Sequence, residues 1–138
     1  MTKIALIIND SNLLKRLQDI LHLQPGIVCI AAAENLSCFW KNLPKRGQAD
    51  IIFVDGNLPD NSAIQVVSAL RKQFPKAEII LLVDTEDGRE LIQALQNGAT
   101  GLLKKGFSEF SLPKLIRTIQ NGGALLSPAF ARKLIAYF

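Results

Sequence analysis

The sequence contains few of the residues from which many catalytic and metal sites are built. Its 138 residues include two cysteines and one histidine. Cys29 and Cys38 have neither the spacing of a metal site nor the number that a disulfide framework needs. No Gly-x-Ser-x-Gly motif accompanies His22, which excludes the serine hydrolase arrangement built on that motif. Any site chemistry must therefore come from other side chains.

Long apolar runs are also missing. None approaches the ~18 residues of a membrane-spanning helix, and a typical run such as 79–83 has the length of a strand. The apolar run at 4–8 is too short for the core of a signal peptide, and it ends in Asn9 and Asp10. We therefore expect a cytoplasmic protein that makes no contact with a membrane.

The composition is that of one globular domain. Hydrophobic residues make up 49% of the chain and charged residues 20%, which suits a packed core and excludes intrinsic disorder. The net charge of +4 is concentrated near the C-terminus, because residues 101–138 include six lysines and arginines but one acid, Glu109. A basic region can bind nucleic acid, so the last quarter of the chain needs its own interpretation.

Apolar runs of strand length alternate with amphipathic segments of helix length. The predicted strands are 4–8, 27–32, 51–54, 79–83 and 101–103, and the predicted helices are 12–23, 36–43, 62–74, 87–97 and 111–121. Nearly every strand position is apolar, as in strands that helices cover on both faces. The pattern predicts an α/β fold with a doubly wound, five-stranded parallel sheet.

The last residues form an addition to this unit. Ser127 is a suitable N-cap and Pro128 suits a first helical position, so a short sixth helix is predicted there. The five strands and five helices are complete without it. We therefore expect a domain over residues 1–121, followed by a linker or short extra helix over residues 122–138.

The chemistry is expected beyond the carboxyl ends of the strands, where open parallel sheets bind ligands. The residues that follow strands 1, 3, 4 and 5 are Asn9-Asp10, Asp55-Gly56-Asn57, Val83-Asp84-Thr85 and Lys104-Lys105. Asp10, Asp55 and the backbone carbonyl of Asn57 offer the oxygen ligands that Mg²⁺ prefers. Asp55 is also a candidate nucleophile toward phosphorus, with Lys105 neutralising the phosphoryl charge. The simpler alternatives are a turn residue for Asp55 and a solvated side chain for Lys105.

Three segments together carry a family resemblance. The runs 8–10 (IND), 53–60 (FVDGNLPD) and 97–105 (NGATGLLKK) resemble the receiver domain of two-component response regulators, in matching order over residues 3–121. The run 122–128 (GGALLSP) is similar to the linker that follows receivers of NarL/LuxR-type transcription regulators. The resemblance implies the flavodoxin-like (CheY-like) strand order 2-1-3-4-5 and a signalling domain rather than an enzyme.

The resemblance also implies a role for each site residue. Asp55 would be the phosphoacceptor, charged by a sensor histidine kinase, and Asp10 a ligand of Mg²⁺. Lys105 would pair with the acceptor carboxylate and then with the phosphoryl group. Asn57 would give its backbone carbonyl to the metal and face the phosphoryl group with its side chain. The implied output is transcription through a DNA-binding helix-turn-helix domain absent from this chain, with homodimerisation through the face of helix 4, strand 5 and helix 5.

Several positions depart from the family pattern. Asn9 replaces an acid and would reach the metal through a water molecule, so we expect weaker metal binding. Val83 stands where the family has a hydroxyl residue, although Thr85 offers a hydroxyl nearby. Leu102 replaces the aromatic switch residue, and Ala63 a glycine. We therefore predict a degenerate switch, in which phosphorylation shifts the conformational equilibrium weakly.

Other functions remain as alternatives. A pseudo-receiver, which binds protein partners independently of phosphate, fits the same departures. A flavin carrier or flavodoxin-like enzyme is disfavoured because residues 9–12 contain no glycine and place an acid where a phosphate would bind. Direct DNA binding by the basic tail is disfavoured because no helix-turn-helix pair follows residue 121.

Overall fold

Five parallel strands form the centre of the structure, a computed structural model that describes residues 1–85 and 88–137. The strands are β1 (Thr2–Ile7), β2 (Ile27–Ala33), β3 (Ile51–Asp55), β4 (Glu78–Val83) and β5 (Gly101–Lys104). Their order across the sheet is β2-β1-β3-β4-β5, with every neighbouring pair parallel. The predicted α/β fold and strand order are therefore confirmed.

Six α-helices accompany the sheet in the described part of the chain. They are α1 (Ser11–His22), α2 (Leu36–Asn42), α3 (Ala63–Gln73), α4 (Arg89–Gln96), α5 (Leu112–Gln120) and α6 (Pro128–Tyr137), with a 3-10 turn at Glu109–Ser111. Within residues 1–85 and 88–137, no helix is both long and apolar enough to cross a bilayer.

The observed helix ends differ from the predicted ones by small amounts. Helix α1 begins one residue earlier than predicted because the side chain of Asp10 accepts hydrogen bonds from the backbone N–H groups of Asn12 and Leu13. Helix α5 begins one residue later because a 3-10 turn precedes it. The predicted start of the fourth helix at Asp87 lies outside the described residues.

The sheet separates two apolar cores, one on each face. Successive residues of β1 alternate between them: Ala5 and Ile7 face the core beneath α2, α3 and α4, whereas Ile4 and Leu6 face the core beneath α1 and α5. All of β3 is buried, including its last residue, Asp55. Burial on both faces explains the continuous apolar runs in the sequence, and it brings the polar strand ends together at one edge.

The turn before β5 is fixed by an arginine of α3. Arg71 donates from Nη2 to the backbone carbonyl of Gly98 at 2.6 Å and from Nη1 to the carbonyls of Phe74 and Pro75. Gly98 has φ 125°, and a Cβ there would lie 2.9 Å from the Arg71 side chain. Only glycine allows both this φ angle and this close approach without strain. The turn, and the hydrogen bond that Arg71 donates to it, therefore fix where β5 begins. 

The C-terminal segment packs against β5 and the helical face beside it. The backbone N–H of Leu102 donates to the carbonyl of Leu125 at 2.7 Å, which places this segment along the outer edge of β5. In α6, Phe130 is 1% exposed and belongs to the same apolar core as Leu102. Ser127 Oγ accepts from the backbone N–H of Phe130 at 3.1 Å, which caps the helix. The predicted sixth helix is therefore present, and it is anchored on the domain.

Replacing Phe130 with alanine tests this anchor. A Phe→Ala change in a core costs about 3–5 kcal/mol, which is an upper bound here because α6 can detach while the sheet stays folded. We expect a lower denaturation midpoint and faster proteolysis within residues 122–137. Ile135→Ala is the matched control, because Ile135 is 75% exposed. Equal protease resistance of both variants would show that Phe130 does not hold the segment.

Candidate functional site

Backbone hydrogen bonds join the ends of neighbouring strands, which form one surface. Beyond β1, Ile8 N–H donates to the carbonyl of Ala33 at 2.9 Å, and beyond β3, Gly56 N–H donates to that of Leu82 at 2.8 Å. Beyond β5, the N–H of Lys105 donates to Val83 at 2.7 Å. These bonds extend the sheet by one residue at three places and fix where the side chains that follow begin.

Asp55 lies at the centre of this surface. Asp55 is 3% exposed, and among the described residues its side chain is the only charged one that is buried. Oδ1 accepts from Lys105 Nζ at 2.9 Å and from the backbone N–H of Asn57 at 3.0 Å, and Oδ2 accepts from that of Asn9 at 3.3 Å. The bond from Asn57 is the turn contact of the simpler alternative. The contacts from Lys105 and Asn9 cross the sheet, so the carboxylate does more than close a turn.

Lys105 points inward, whereas Lys104 is exposed. The Lys105 side chain retains 28% exposure, which keeps its ammonium group accessible to a ligand from solvent. The loop that carries it is tied to α1 by a two-point ion pair, from Arg16 Nε and Nη2 to the carboxylate of Glu109 at 2.8 and 3.1 Å. The hydrogen bond to Arg16 lowers the pKa of Glu109, so the pair stays charged at neutral pH.

Asp84 is the site residue that the sequence analysis left without a role. Its Oδ2 accepts from Asn57 Nδ2 at 2.8 Å, and its Oδ1 lies 3.7 Å from Lys105 Nζ. Its side chain is 66% exposed, so it lies at the mouth of the site rather than inside it. The available signal was position, because Asp84 is the first residue after β4, and Asn57 lies two residues after the end of β3. The site therefore has three carboxylates, of Asp10, Asp55 and Asp84, and one lysine among its charged groups.

Asp10 and Asn9 lie on the exposed side of the site, at the start of α1. Asp10 Oδ1 already caps the helix, and its other oxygen is the one that remains for a cation. With Asp55 and the backbone carbonyl of Asn57, it gives an all-oxygen donor set, which fits Mg²⁺ in kind. Among residues 1–85 and 88–137, no cluster of three or more His, Cys, Asp or Glu side chains is placed to hold a metal. The donor set thus has two carboxylates, with Asn9 in place of a third.

The two residues predicted to make the switch degenerate are buried in apolar surroundings. Val83 and Leu102 belong to the core beneath α2, α3 and α4. Val83 also lines a cleft of about 420 Å³ between the loops after β3 and β4, together with Asn57, Asp84 and Thr85. The Thr85 side chain is at the exposed rim of this cleft, while Val83 presents methyl groups next to Gly56. A ligand on Asp55 therefore meets no hydroxyl from position 83.

These observations agree with comparisons to known proteins. The family model of the response regulator receiver domain matches residues 4–117. The chain belongs to this family. Transcriptional regulatory protein UhpA of Salmonella typhimurium is 32% identical over 139 residues, which is 99% of this chain and 67% of that protein. Nitrate/nitrite response regulator NarP of Escherichia coli is 28% identical over 96% of this chain and 60% of its own length. The relatives of this receiver domain are regulators of the NarL/LuxR type.

Solved structures agree on the fold. The isolated receiver domain of RcsB from Salmonella enterica in its apo form superimposes with a TM-score of 0.80 at 19% identity, over 97% of this chain and 98% of that one. The same domain with the phosphomimetic BeF₃⁻ gives a TM-score of 0.76 at 19% identity, over 95% of this chain and 96% of that one.

Transcriptional regulatory protein LnrK of Bacillus subtilis is 27% identical over 96% of this chain. This receiver domain spans 60% of the LnrK length, so LnrK contains a further region.

Substitutions at Asp10 separate its two possible roles. Asp10→Asn keeps the helix cap, since Asn and Asp cap equally well, so the free energy of unfolding should change by less than about 0.5 kcal/mol. The lost ligand charge should weaken Mg²⁺ binding by about tenfold or more. Asp10→Ala should weaken it as well and cost about 1 kcal/mol in stability. Denaturant titration and a Mg²⁺ titration followed by NMR measure the two effects. Unchanged Mg²⁺ affinity in Asp10→Asn would remove Asp10 from the metal site.

Proposed function

We propose that Asp55 accepts a phosphoryl group from the phosphohistidine of a sensor histidine kinase. The observation that carries the proposal is the buried Asp55 carboxylate with Lys105 Nζ at 2.9 Å. The lysine holds the carboxylate, an oxygen nucleophile, in place, and its ammonium group can afterwards donate to a phosphoryl oxygen. The simpler roles for Asp55, a turn or a cap, need no lysine from a strand two positions away.

The proposed step is a displacement at phosphorus. An oxygen of Asp55 attacks the phosphorus atom, and a P–O bond forms as the P–N bond of the phosphohistidine breaks. The leaving imidazole nitrogen keeps the electron pair and takes up a proton from solvent. Lys105 Nζ, which lies 2.9 Å from Asp55 Oδ1, donates to the equatorial oxygens, as does the side-chain amide of Asn57 once it is released from Asp84. Charge stabilisation and positioning account for the catalysis, because attack by a carboxylate needs no general base.

Asp10, Asp55 and the carbonyl of Asn57 are the residues proposed to hold Mg²⁺. The ion, when bound, neutralises charge on the phosphoryl oxygens. Asn9 would contribute through its amide side chain and a water molecule, and it would add no charge. The protein's own contribution is to hold the Asp55 carboxylate with three donors and to keep it out of bulk water.

The proposed output is transcriptional. UhpA and LnrK are named transcriptional regulatory proteins, and the receiver domain covers only part of each. We infer that residues 1–121 form the receiver domain and 122–138 lead to a DNA-binding domain outside this chain, in a protein of the cytoplasm. A homodimer through α4, β5 and α5 is proposed as its active assembly. Helix α6 packs beside β5 at this face, so a dimer formed there has to include α6 or displace it.

A small phosphodonor tests phosphoryl acceptance directly. Incubation with phosphoramidate and Mg²⁺ should add the mass of one phosphoryl group to the intact protein. Asp55→Asn should abolish the addition, because its amide is a poor nucleophile. Asp60→Asn, at an exposed acid on the loop between β3 and α3, should leave it unchanged. Repeated absence of the adduct in the wild-type protein would favour the pseudo-receiver alternative.

The degenerate switch gives a second expectation. Val83 offers no hydroxyl to a phosphoryl oxygen, and Leu102 is already buried, so few contacts distinguish two conformations. We expect BeF₃⁻ with Mg²⁺ to shift amide resonances near Asp55 and to change few of those in α4 and β5. A two-dimensional NMR comparison measures this. Large shifts throughout α4, β5 and α5 would show a complete switch.

A further inference from the structure

An acid already occupies the side-chain donors that a phosphoryl group on Asp55 would use. Those donors are Lys105 Nζ and Asn57 Nδ2, the first 2.9 Å from Asp55 Oδ1 and the second on the loop that follows it. Asp84 accepts from Asn57 Nδ2 at 2.8 Å and lies 3.7 Å from Lys105 Nζ. Lys105 is thus bracketed by two carboxylates. Because Val83 has no hydroxyl, the phosphoryl group depends heavily on these two donors.

We propose that Asp84 is a positioning residue that opposes phosphoryl transfer to Asp55 by holding Asn57 and Lys105 with its negative charge. The inference rests on the proposed function, since it concerns the rate and extent of that same reaction. Asp84 takes no part in bond making. As the P–N bond of the donor breaks and the Asp55 P–O bond forms, Asn57 and Lys105 exchange the Asp84 carboxylate for phosphoryl oxygens.

Two separate physical effects of Asp84 oppose this exchange. The hydrogen bond between Asn57 and Asp84 has to break, and Asp84 then turns into solvent, which its 66% exposure allows. The arriving phosphoryl oxygens also carry negative charge, which a neighbouring carboxylate repels. Because water screens an exposed carboxylate, this effect is moderate and depends on salt. A receiver with this acid should therefore accept the phosphoryl group more slowly and retain less of it.

Two variants separate charge from shape. Asp84→Asn removes the charge but keeps an oxygen that can accept from Asn57, and Asp84→Ala removes both. The matched control is Glu90→Gln, because Glu90 is an exposed acid of α4 that lines the same cleft. Each protein is treated with phosphoramidate and Mg²⁺, the adduct is followed by intact mass, and its decay is followed after the donor is removed.

Asp84→Asn should form the adduct about three- to tenfold faster than wild type, as removal of one partly screened charge predicts. Its advantage should shrink near 1 M salt, where the screening length is about 3 Å. Glu90→Gln should match the wild type within about twofold. The side-chain amide resonance of Asn57 should move less in Asp84→Asn than in Asp84→Ala, since only the alanine variant loses the hydrogen bond.

The outcomes distinguish the inference from the function on which it rests. Labelling of both proteins, with Asp84→Asn labelled faster than the wild type, supports both. Equal labelling of wild type and Asp84→Asn overturns the role of Asp84 and leaves phosphoryl acceptance standing. A salt-independent gain overturns the charge argument and assigns the effect to shape. No adduct in any variant overturns the proposed function and the inference with it.

Discussion

The ion pair between Asp55 and Lys105 is the interaction on which the site depends. The two residues are 50 positions apart in sequence, and they belong to the ends of β3 and β5, which β4 separates. Their contact at 2.9 Å requires the strand order, the length of each strand and the turn at Gly98 to be correct together. A buried carboxylate without a cation would be costly, so the pair also limits how β5 can be placed against the sheet.

Much of the fold could be predicted because its cause is local. Strands buried on both faces need apolar residues at nearly every position, and that requirement is visible in the sequence at β3 and β4. The resemblance of residues 97–105 assigns the pairing role to Lys105, and the structure places Lys105 Nζ 2.9 Å from Asp55 Oδ1. Helix ends were less accurate. They depend on which side chain reaches the free backbone N–H groups, and Asp10 does so before Ser11.

Asp84 could not be assigned for a different reason. A resemblance assigns roles to positions that the family already uses, and at the end of β4 that position is Val83. Whether the next side chain turns toward the site or toward water is decided by its contacts with Asn57 and Lys105, which come from two other loops. Such three-way contacts follow from the folded geometry. The family of this chain is therefore clear from its motifs, whereas the contacts of Asp84 at its site are visible only in the folded structure.

The position of the C-terminal segment affects how readily the sheet edges of this protein aggregate. A parallel sheet with open edges offers unpaired backbone groups to any extended chain. Here Leu125 accepts the hydrogen bond of Leu102, and α6 lies beyond it, so β5 is shielded along that side. The opposite edge, β2, carries a partly exposed Val28. Unwanted strand addition and aggregation should therefore begin at β2, and loss of the C-terminal segment would open a second place for them.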